Sequence, residues 1–302
     1  MRALLAITLL AACSQPVASE PAITESTIAE PTVPASPASE IAVAEAAIPA
    51  APRVIELTGA MAQGGFGRGK ARGGEVAEVL LDGKAIPVAE DGRFFVAFGR
   101  DADLTTRLDV RYADGLSIGQ DFELADTSFP ESRLPAATTK RIEASAGFRK
   151  RRAEQVKRIT ASRSGRSDLT GWAETFVKPA EGRTSGVFGS QRFYGDEPRS
   201  PHSGMDIAAP KGAPVTAPAS GKVALAGGGY SFEGKLVIVD HGLGLYSAFL
   251  HLSRIDVEVG DMLAKGDAIG RVGSSGRATG PHLHWGLWWD GVRFDPEAIL
   301  GR

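Results

Sequence analysis

All five histidines of this 302-residue chain fall after residue 201, at positions 202, 241, 251, 282 and 284. Two of them stand two apart in Gly280-Pro281-His282-Leu283-His284-Trp285. Side chains on a strand alternate between faces, so His282 and His284 share one face while Leu283, Trp285 and Leu287 share the other. Such a strand is apolar behind and polar in front, a rigid support for a precise site. A second stretch, His202-Ser203-Gly204-Met205-Asp206, carries an imidazole and a carboxylate four residues apart across a glycine. In a turn or extended segment both can face one point. Two imidazoles and one carboxylate form a three-ligand zinc set that leaves a fourth position for water, with bonds of about 2.0–2.2 Å. Taken singly the pieces are bland: Asp206 alone would cap a turn, and His251 alone would be a hydrogen-bonded structural histidine. Their joint presence in one region is what points to a metal.

The elements that must position these residues are short. Residues 172–302 contain the apolar runs KVALA, KLVIVD, LYSAFL and DAIGRVG, separated by glycine-rich turns, with no long amphipathic helix. This pattern predicts a mostly antiparallel β domain. Residues 54–126 carry three Asp-Gly pairs (Asp82-Gly83, Asp91-Gly92, Asp114-Gly115) between apolar stretches. Asp-Gly is a strong hairpin signal, so this segment is expected to be a small β-sandwich-like domain. Within it, Gly64 to Lys70 (GGFGRGK) approaches a phosphate-binding loop. Ala71 stands where magnesium binding needs Ser or Thr, and no strong helix follows, so a hairpin loop is the better reading.

Between these regions lies a basic connector, residues 138–168, with ten Lys or Arg against two Glu from Lys140 to Arg166. FRKRRAEQVKRI has good helix formers and no proline, and a solvated charged helix is expected. Docking onto an anionic polymer or membrane, or packing across the next domain as a cover, are its alternatives.

At the start, Arg2 precedes the apolar run ALLAITLLAA, too short for a permanent span and laid out as a signal peptide over residues 1–13. Leu10-Ala11-Ala12-Cys13 resembles the lipobox of bacterial lipoproteins, in which the cysteine is lipidated. Cys13 is the only cysteine, which excludes an intrachain disulfide and a cysteine-based metal cluster. Residues 14–52 hold seven prolines and five glutamates with no basic or aromatic residue, a composition expected to form a disordered tether. Fully stretched it would reach on the order of 100 Å. The formal net charge of -2 carries no nucleic-acid signature.

With HSGMD, AFLHLS and GPHLHW in this order, residues 186–300 resemble the lysostaphin/LytM-type zinc metallo-endopeptidase family. The flanks GVFGSQR, HSGMDIAAPKGAPVTAPASGKV, VDHGLGLYSAFLHLS and GDMLAKGDAIGRVGSSGRATGPHLHW are similar as well. The segments AQGGFGRG and EDGRFFVAFGRDA more weakly resemble an accessory domain that precedes some such peptidases. The resemblance implies one Zn²⁺ held by His202, Asp206 and His284, with His251 and His282 as the catalytic pair. Histidines titrate near neutral pH, so one can move the water proton to the leaving amine while another stabilises the oxyanion. His241 is read as structural, and Arg192 as either a substrate contact or a loop ion pair. The implied activity is hydrolysis of peptide cross-links in bacterial peptidoglycan, in the periplasm. The expected partners are peptidoglycan, the outer membrane through a lipid on Cys13, and a regulatory protein, with no nucleic acid. Two other classes compete: a non-enzymatic activator of cell-wall amidases, and a peptidoglycan-binding module with a structural zinc. A connector or first domain that covered the groove would make a chain starting near Leu169 the more active form.

Overall fold

The computed structural model describes residues 51–134 and 145–301. The leader, Cys13, nearly all of the tether and part of the connector lie outside the described residues. The fold is mainly β, and the described residues belong to one compact unit.

Residues 54–123 build two antiparallel sheets. One has the order Val54–Ala60, Phe66–Arg72, Arg93–Ala97, and the other Lys84–Ile86, Val76–Leu81, Thr105–Tyr112, Ser117–Glu123. The Asp-Gly signals act as hairpin turns. Leu81 pairs with Lys84, leaving Asp82 and Gly83 as a two-residue loop, both at positive φ (48° and 78°), the conformation that suits the strand twist. Along Thr105–Tyr112, Thr106, Leu108, Val110 and Tyr112 are buried and alternate with exposed or half-exposed residues, a strand with one face to the core. Of the expected loop at residues 64–70, only Gly64 and Gly65 lie in the hairpin turn; residues 66–70 are strand, paired with residues 56–60.

The C-terminal region is dominated by an eight-stranded antiparallel sheet. Its order is Met262–Leu263, Gly221–Tyr230, Gly234–Gly242, Leu245–Leu250, Leu283–Trp289, Met205–Ala208, Arg183–Gly186, with Val292–Phe294 also on Leu283–Trp289. Leu283, Trp285, Leu287 and Trp289 are fully or almost fully buried, the apolar back of the H-x-H strand.

The two β regions share a core. Phe95 stacks on Phe66 at 5.6 Å and meets Phe294 at 5.9 Å and Trp289 at 6.3 Å. Around this cluster the Asp295 N–H donates to the Gly64 carbonyl at 2.7 Å, and Arg100 Nε donates to the Gly189 carbonyl at 2.8 Å. Lys84 pairs with Asp290 at 2.7 Å. A chain begun near Leu169 would therefore strip aromatic cover from Trp289 and Phe294, so the truncation alters the core as well as any groove cover.

The connector helix spans Ala146–Ala161, with Ser145 Oγ accepting from the Phe148 N–H as its N-cap. It docks on the hairpin Gly221–Tyr230/Gly234–Gly242 through one face that mixes apolar and polar contacts: Ile159 packs against the cluster around Tyr230 and Leu236, and the Phe148 ring lies 5.9 Å from that of Phe232. Gln155 donates to the Gly229 carbonyl at 2.9 Å and accepts from the Ser231 N–H at 3.0 Å. Arg152 makes two bonds to Glu233, at 2.7 and 2.8 Å. Most of the helix stays exposed, as its charge leads one to expect, while the face bearing Phe148, Arg152, Gln155 and Ile159 docks and Arg152 spends its charge on Glu233.

A continuous core predicts one cooperative transition for the folded region. Phe95→Ala should cost about 3–5 kcal/mol and shift a single calorimetric peak. Two peaks, only one of them shifted, would contradict a shared core.

Candidate metal centre

Strand register brings the site together. Asp206 on Met205–Ala208 lies directly opposite His284 on Leu283–Trp289, and Leu250, the residue before His251, pairs with His284 on the other side. His202 reaches the same point through the turn at Ser203-Gly204. The resulting distances are 3.1 Å from His202 Nε2 to Asp206 Oδ1, 2.8 Å from His284 Nδ1 to Asp206 Oδ1, and 3.2 Å between the two imidazole nitrogens. A tetrahedral zinc with bonds of about 2.0–2.1 Å spaces its ligands by about 3.3 Å, close to this triangle.

The chemistry of the donors tests the fit independently. His202 Nδ1 lies 2.9 Å from the Val187 carbonyl, which can only accept, so Nδ1 carries the proton. In the neutral ring Nε2 then presents a lone pair to the carboxylate and to His284. Lone pairs converging in a largely buried place demand a positive charge between them, a metal ion or a proton. Proton affinities show the same demand. Burial opposes ionisation of Asp206, yet hydrogen bonds from His202 and His284 hold its carboxyl well below the usual range. Burial opposes a charge on His202, yet the Asp206 hydrogen bond raises its pKa. Burial lowers that of His284. These three residues suit a zinc ion.

Space for the cluster depends on two glycines. A Cβ on Gly186 would lie 2.6 Å from Asp206 Oδ2, and one on Gly204 would lie 2.9 Å from His284 Nε2 and 2.3 Å from the Trp285 carbonyl oxygen.

His251 and His282 stand beside the triangle, their rings 4.8 Å apart. Each is oriented by a backbone carbonyl: His251 Nδ1–H donates to Ser275 at 2.8 Å and His282 Nδ1–H to Gly280 at 2.9 Å. Both Nε2 atoms are left available, and His282 Nε2 lies 3.8 Å from Asp206 Oδ1. Burial pushes His251 down to about 4, so its ring is neutral at pH 7. His251 also sits at φ 64°, in the left-handed backbone region that residues with a Cβ seldom enter. Its N–H donates to the Glu233 carbonyl at 2.9 Å, and Glu233 is the residue clamped by Arg152. Ser275 is fixed in turn, its hydroxyl donating to the Leu252 carbonyl and accepting from the Lys235 N–H, each at 2.8 Å. Sequence reasoning missed Ser275, Glu233 and Arg152. Arg192 lies exposed on the strand Gln191–Tyr194.

His241 is apart from the cluster and fully buried. Its Nδ1–H donates to the Ser220 carbonyl at 2.8 Å, and Nε2 accepts from Ser247 Oγ at 2.8 Å.

Residues 200–296 match the family described as peptidase family M23. A solved structure from Pseudomonas aeruginosa assigned to peptidase M23 is 32% identical, covers 80% of this chain and 95% of that chain, and superposes with a TM-score of 0.62. The peptidoglycan DD-endopeptidase ShyA of Vibrio cholerae is 38% identical over 106 residues, 35% of this chain and 24% of that relative. The DD-carboxypeptidase/endopeptidase Mpg of Neisseria meningitidis is 40% identical over 100 residues, 32% of this chain and 22% of that relative. The chain belongs to peptidase family M23. The match spans less than a quarter of the length of these two curated relatives.

Two outcomes follow from the geometry. Gly186→Ala should keep the fold but displace the Asp206 carboxylate, weakening zinc affinity by about ten- to a hundredfold, as loss of a supporting contact does. Competition with a chromogenic chelator measures it, and unchanged affinity would remove the steric argument. For His241, burial lowers the folded-state pKa from 6.5 to about 4. The unfolded chain therefore takes up a proton that the folded chain refuses, and the stabilisation present above pH 6.5 drains away as pH falls towards 4. The loss is on the order of 3 kcal/mol at most. Melting temperatures between pH 7 and pH 4.5 should fall less steeply in His241→Asn than in the wild type, whatever the variant's starting stability.

Proposed function

We propose that the chain is a zinc-dependent endopeptidase that hydrolyses peptide cross-links of bacterial peptidoglycan. The observation that carries this reading is the convergence of His202, Asp206 and His284 with two further imidazoles held alongside by backbone carbonyls. Zinc, when bound there, would acidify a water molecule and polarise a peptide carbonyl. His202 Nε2, Asp206 Oδ1 and His284 Nδ1 would hold it. The work left to the chain is proton transfer and charge stabilisation. His251 and His282 keep their Nδ1 protons on carbonyls, so each can accept a proton only at Nε2. For the same reason an Nε2 can donate to a developing oxyanion only after its ring has been protonated. One ring thus takes the proton of the attacking water at Nε2, faces the oxyanion while it is charged, and passes the proton to the leaving amine, with the other ring held beside it.

The substrate class is supported by the names of the relatives. A peptidoglycan substrate lies outside the cytoplasm, in keeping with the leader and lipobox-like Cys13, and we place the protein in the periplasm, anchored to the outer membrane. The full ligand set and the two additional histidines favour an enzyme over an amidase activator or a binding module with structural zinc.

Digestion of purified peptidoglycan, with zinc content measured in parallel, tests this. Wild type should release soluble fragments. His284→Ala should lose both metal and activity. His251→Ala should keep the metal and lose activity by about a hundredfold or more, the contribution typical of a positioned acid or base. A zinc-loaded wild type that releases nothing would overturn the reading.

A further inference from the structure

A cleft of about 730 Å³ runs between the two β regions, bounded by Leu81, Phe98 and Arg100 on one wall and by His202, Trp288 and Arg293 on the other. Its volume is that of a ligand site, and it opens onto a residue of the metal centre. Trp288, in its lining, stands on the site face of the H-x-H strand. His282, His284, Gly286 and Trp288 alternate with the buried core residues, which sets Trp288 roughly 13 Å from His284 along the strand. That is the length of about four residues of extended peptide.

The charge around Trp288 is unusual. Arg163, just beyond the connector helix, lies over the indole at 4.0 Å, and Arg293 lies over it at 4.7 Å. No carboxylate lies within ion-pair range of either guanidinium among the described residues. One Arg163 terminal nitrogen, Nη1, is buried without a hydrogen-bond partner. Burial and the Arg293 charge push Arg163 down to about 10. The acid that acts on both, Glu233, is already committed to Arg152 through two hydrogen bonds. Two like charges held on one aromatic ring without a counter-ion are a standing cost unless an anion completes them. Arg293 lines the cleft with part of its side chain accessible, while its guanidinium is desolvated enough against Trp288 that burial lowers its pKa, and it offers the planar fork that matches a carboxylate.

The opposite wall argues about what the anion belongs to. Asp82, Asp101 and Asp103 line it. Asp82 accepts from Thr106 Oγ1 and the Arg107 N–H, and Asp101 pairs with Arg100. An acidic wall repels a polyanion along its length, while a peptide with isolated carboxylates meets the arginines without that penalty.

We propose that this cleft is a peptide-binding subsite, in which Arg293, backed by Trp288 and Arg163, receives a carboxylate of the substrate peptide about four residues from the bond at the metal centre. The proposal rests on the peptidase reading above and gives the first β region a share in substrate binding.

The test is calorimetric binding of two probes to the purified zinc-loaded chain: a soluble acidic pentapeptide with free carboxylates, and its fully amidated counterpart. The wild type should prefer the acid. Arg293→Gln should weaken acid binding by about ten- to a hundredfold, as expected for a charged hydrogen bond, with amide binding unchanged. Arg293→Lys, which keeps the charge and loses the fork, should fall between them. Arg293→Gln gives up both the stack on Trp288 and the repulsion of Arg163, which act in opposite directions on stability, so melting temperature is checked alongside. With cross-linked peptide as substrate, Arg293→Gln should raise KM and leave kcat and zinc content unchanged. Equal binding of the two probes, or an indifferent Arg293→Gln, would overturn the subsite even where the wild type cleaves. Tighter binding of inorganic polyphosphate than of the acidic peptide would also overturn it, in favour of a polyanion site. Arg293-dependent peptide binding by a chain that cleaves nothing would sink the peptidase reading and leave the subsite standing.

Discussion

The strand Leu283–Trp289 must satisfy two environments at once, and much of the molecule follows from that constraint. Its period of two separates Leu283, Trp285, Leu287 and Trp289, all buried, from His284, Gly286 and Trp288 on the opposite face. A slip of one residue in its pairing would drive imidazoles into the core and indoles into the site. Partners on both sides pin the register. Met205–Ala208 sets Asp206 against His284, and Leu245–Leu250 delivers His251 at its end. The back of the strand is locked by a core that does not stop at the C-terminal region, because Trp289 and Phe294 finish their packing on Phe95 and Phe66. The precision of the metal triangle is thus borrowed from aromatic packing begun some two hundred residues earlier in the chain.

Orientation of the imidazoles is a separate problem, and the chain solves it repeatedly in one way. His202, His251 and His282 each give their Nδ1 proton to a main-chain carbonyl, of Val187, Ser275 and Gly280 respectively. A carbonyl cannot donate, so the bond fixes the tautomer as well as the ring plane, and three Nε2 lone pairs are aimed without any acidic side chain being used. Asp206 therefore keeps its charge for the centre of the triangle. His241 shows the contrast: both of its nitrogens are consumed, by Ser220 and Ser247, and its ring belongs to the core.

This distribution of work explains what could be read from the sequence. The β class was legible, because Asp-Gly pairs and period-two alternation such as that of Thr105–Tyr112 are local signals. His202, Asp206, His282 and His284 stood out by type and spacing, while His251 and the split into ligands and a catalytic pair came from the family resemblance; the structure places His202, Asp206 and His284 together with His251 and His282 beside them. The carbonyls that orient them were not legible, since every residue carries one. Nor was the docking of the helix Ala146–Ala161. Its inward face alternates Phe148 and Ile159 with Arg152 and Gln155, so hydrophobic periodicity was diluted by polar residues, and its charge pointed to solvent. The shared core was hidden for a related reason. Phe66 sits in a glycine-rich stretch that reads as a loop, and nothing local tells that its ring will meet Phe294.

The same contacts argue against treating the first β region and the connector as attachments to a self-sufficient peptidase. The Gly64 carbonyl accepts from Asp295, Arg68 donates to the Trp172 and Glu174 carbonyls, and Tyr246 donates to the Gly165 carbonyl at 2.5 Å. Arg152, through Glu233, reaches the backbone of His251 itself. Each bond satisfies a backbone group that would otherwise need water or another partner. Removing the N-terminal half would leave those groups, and the indole of Trp289, to find new surroundings. The site is held by the whole folded region, so a change far from the histidines can act on them by loosening what orients them.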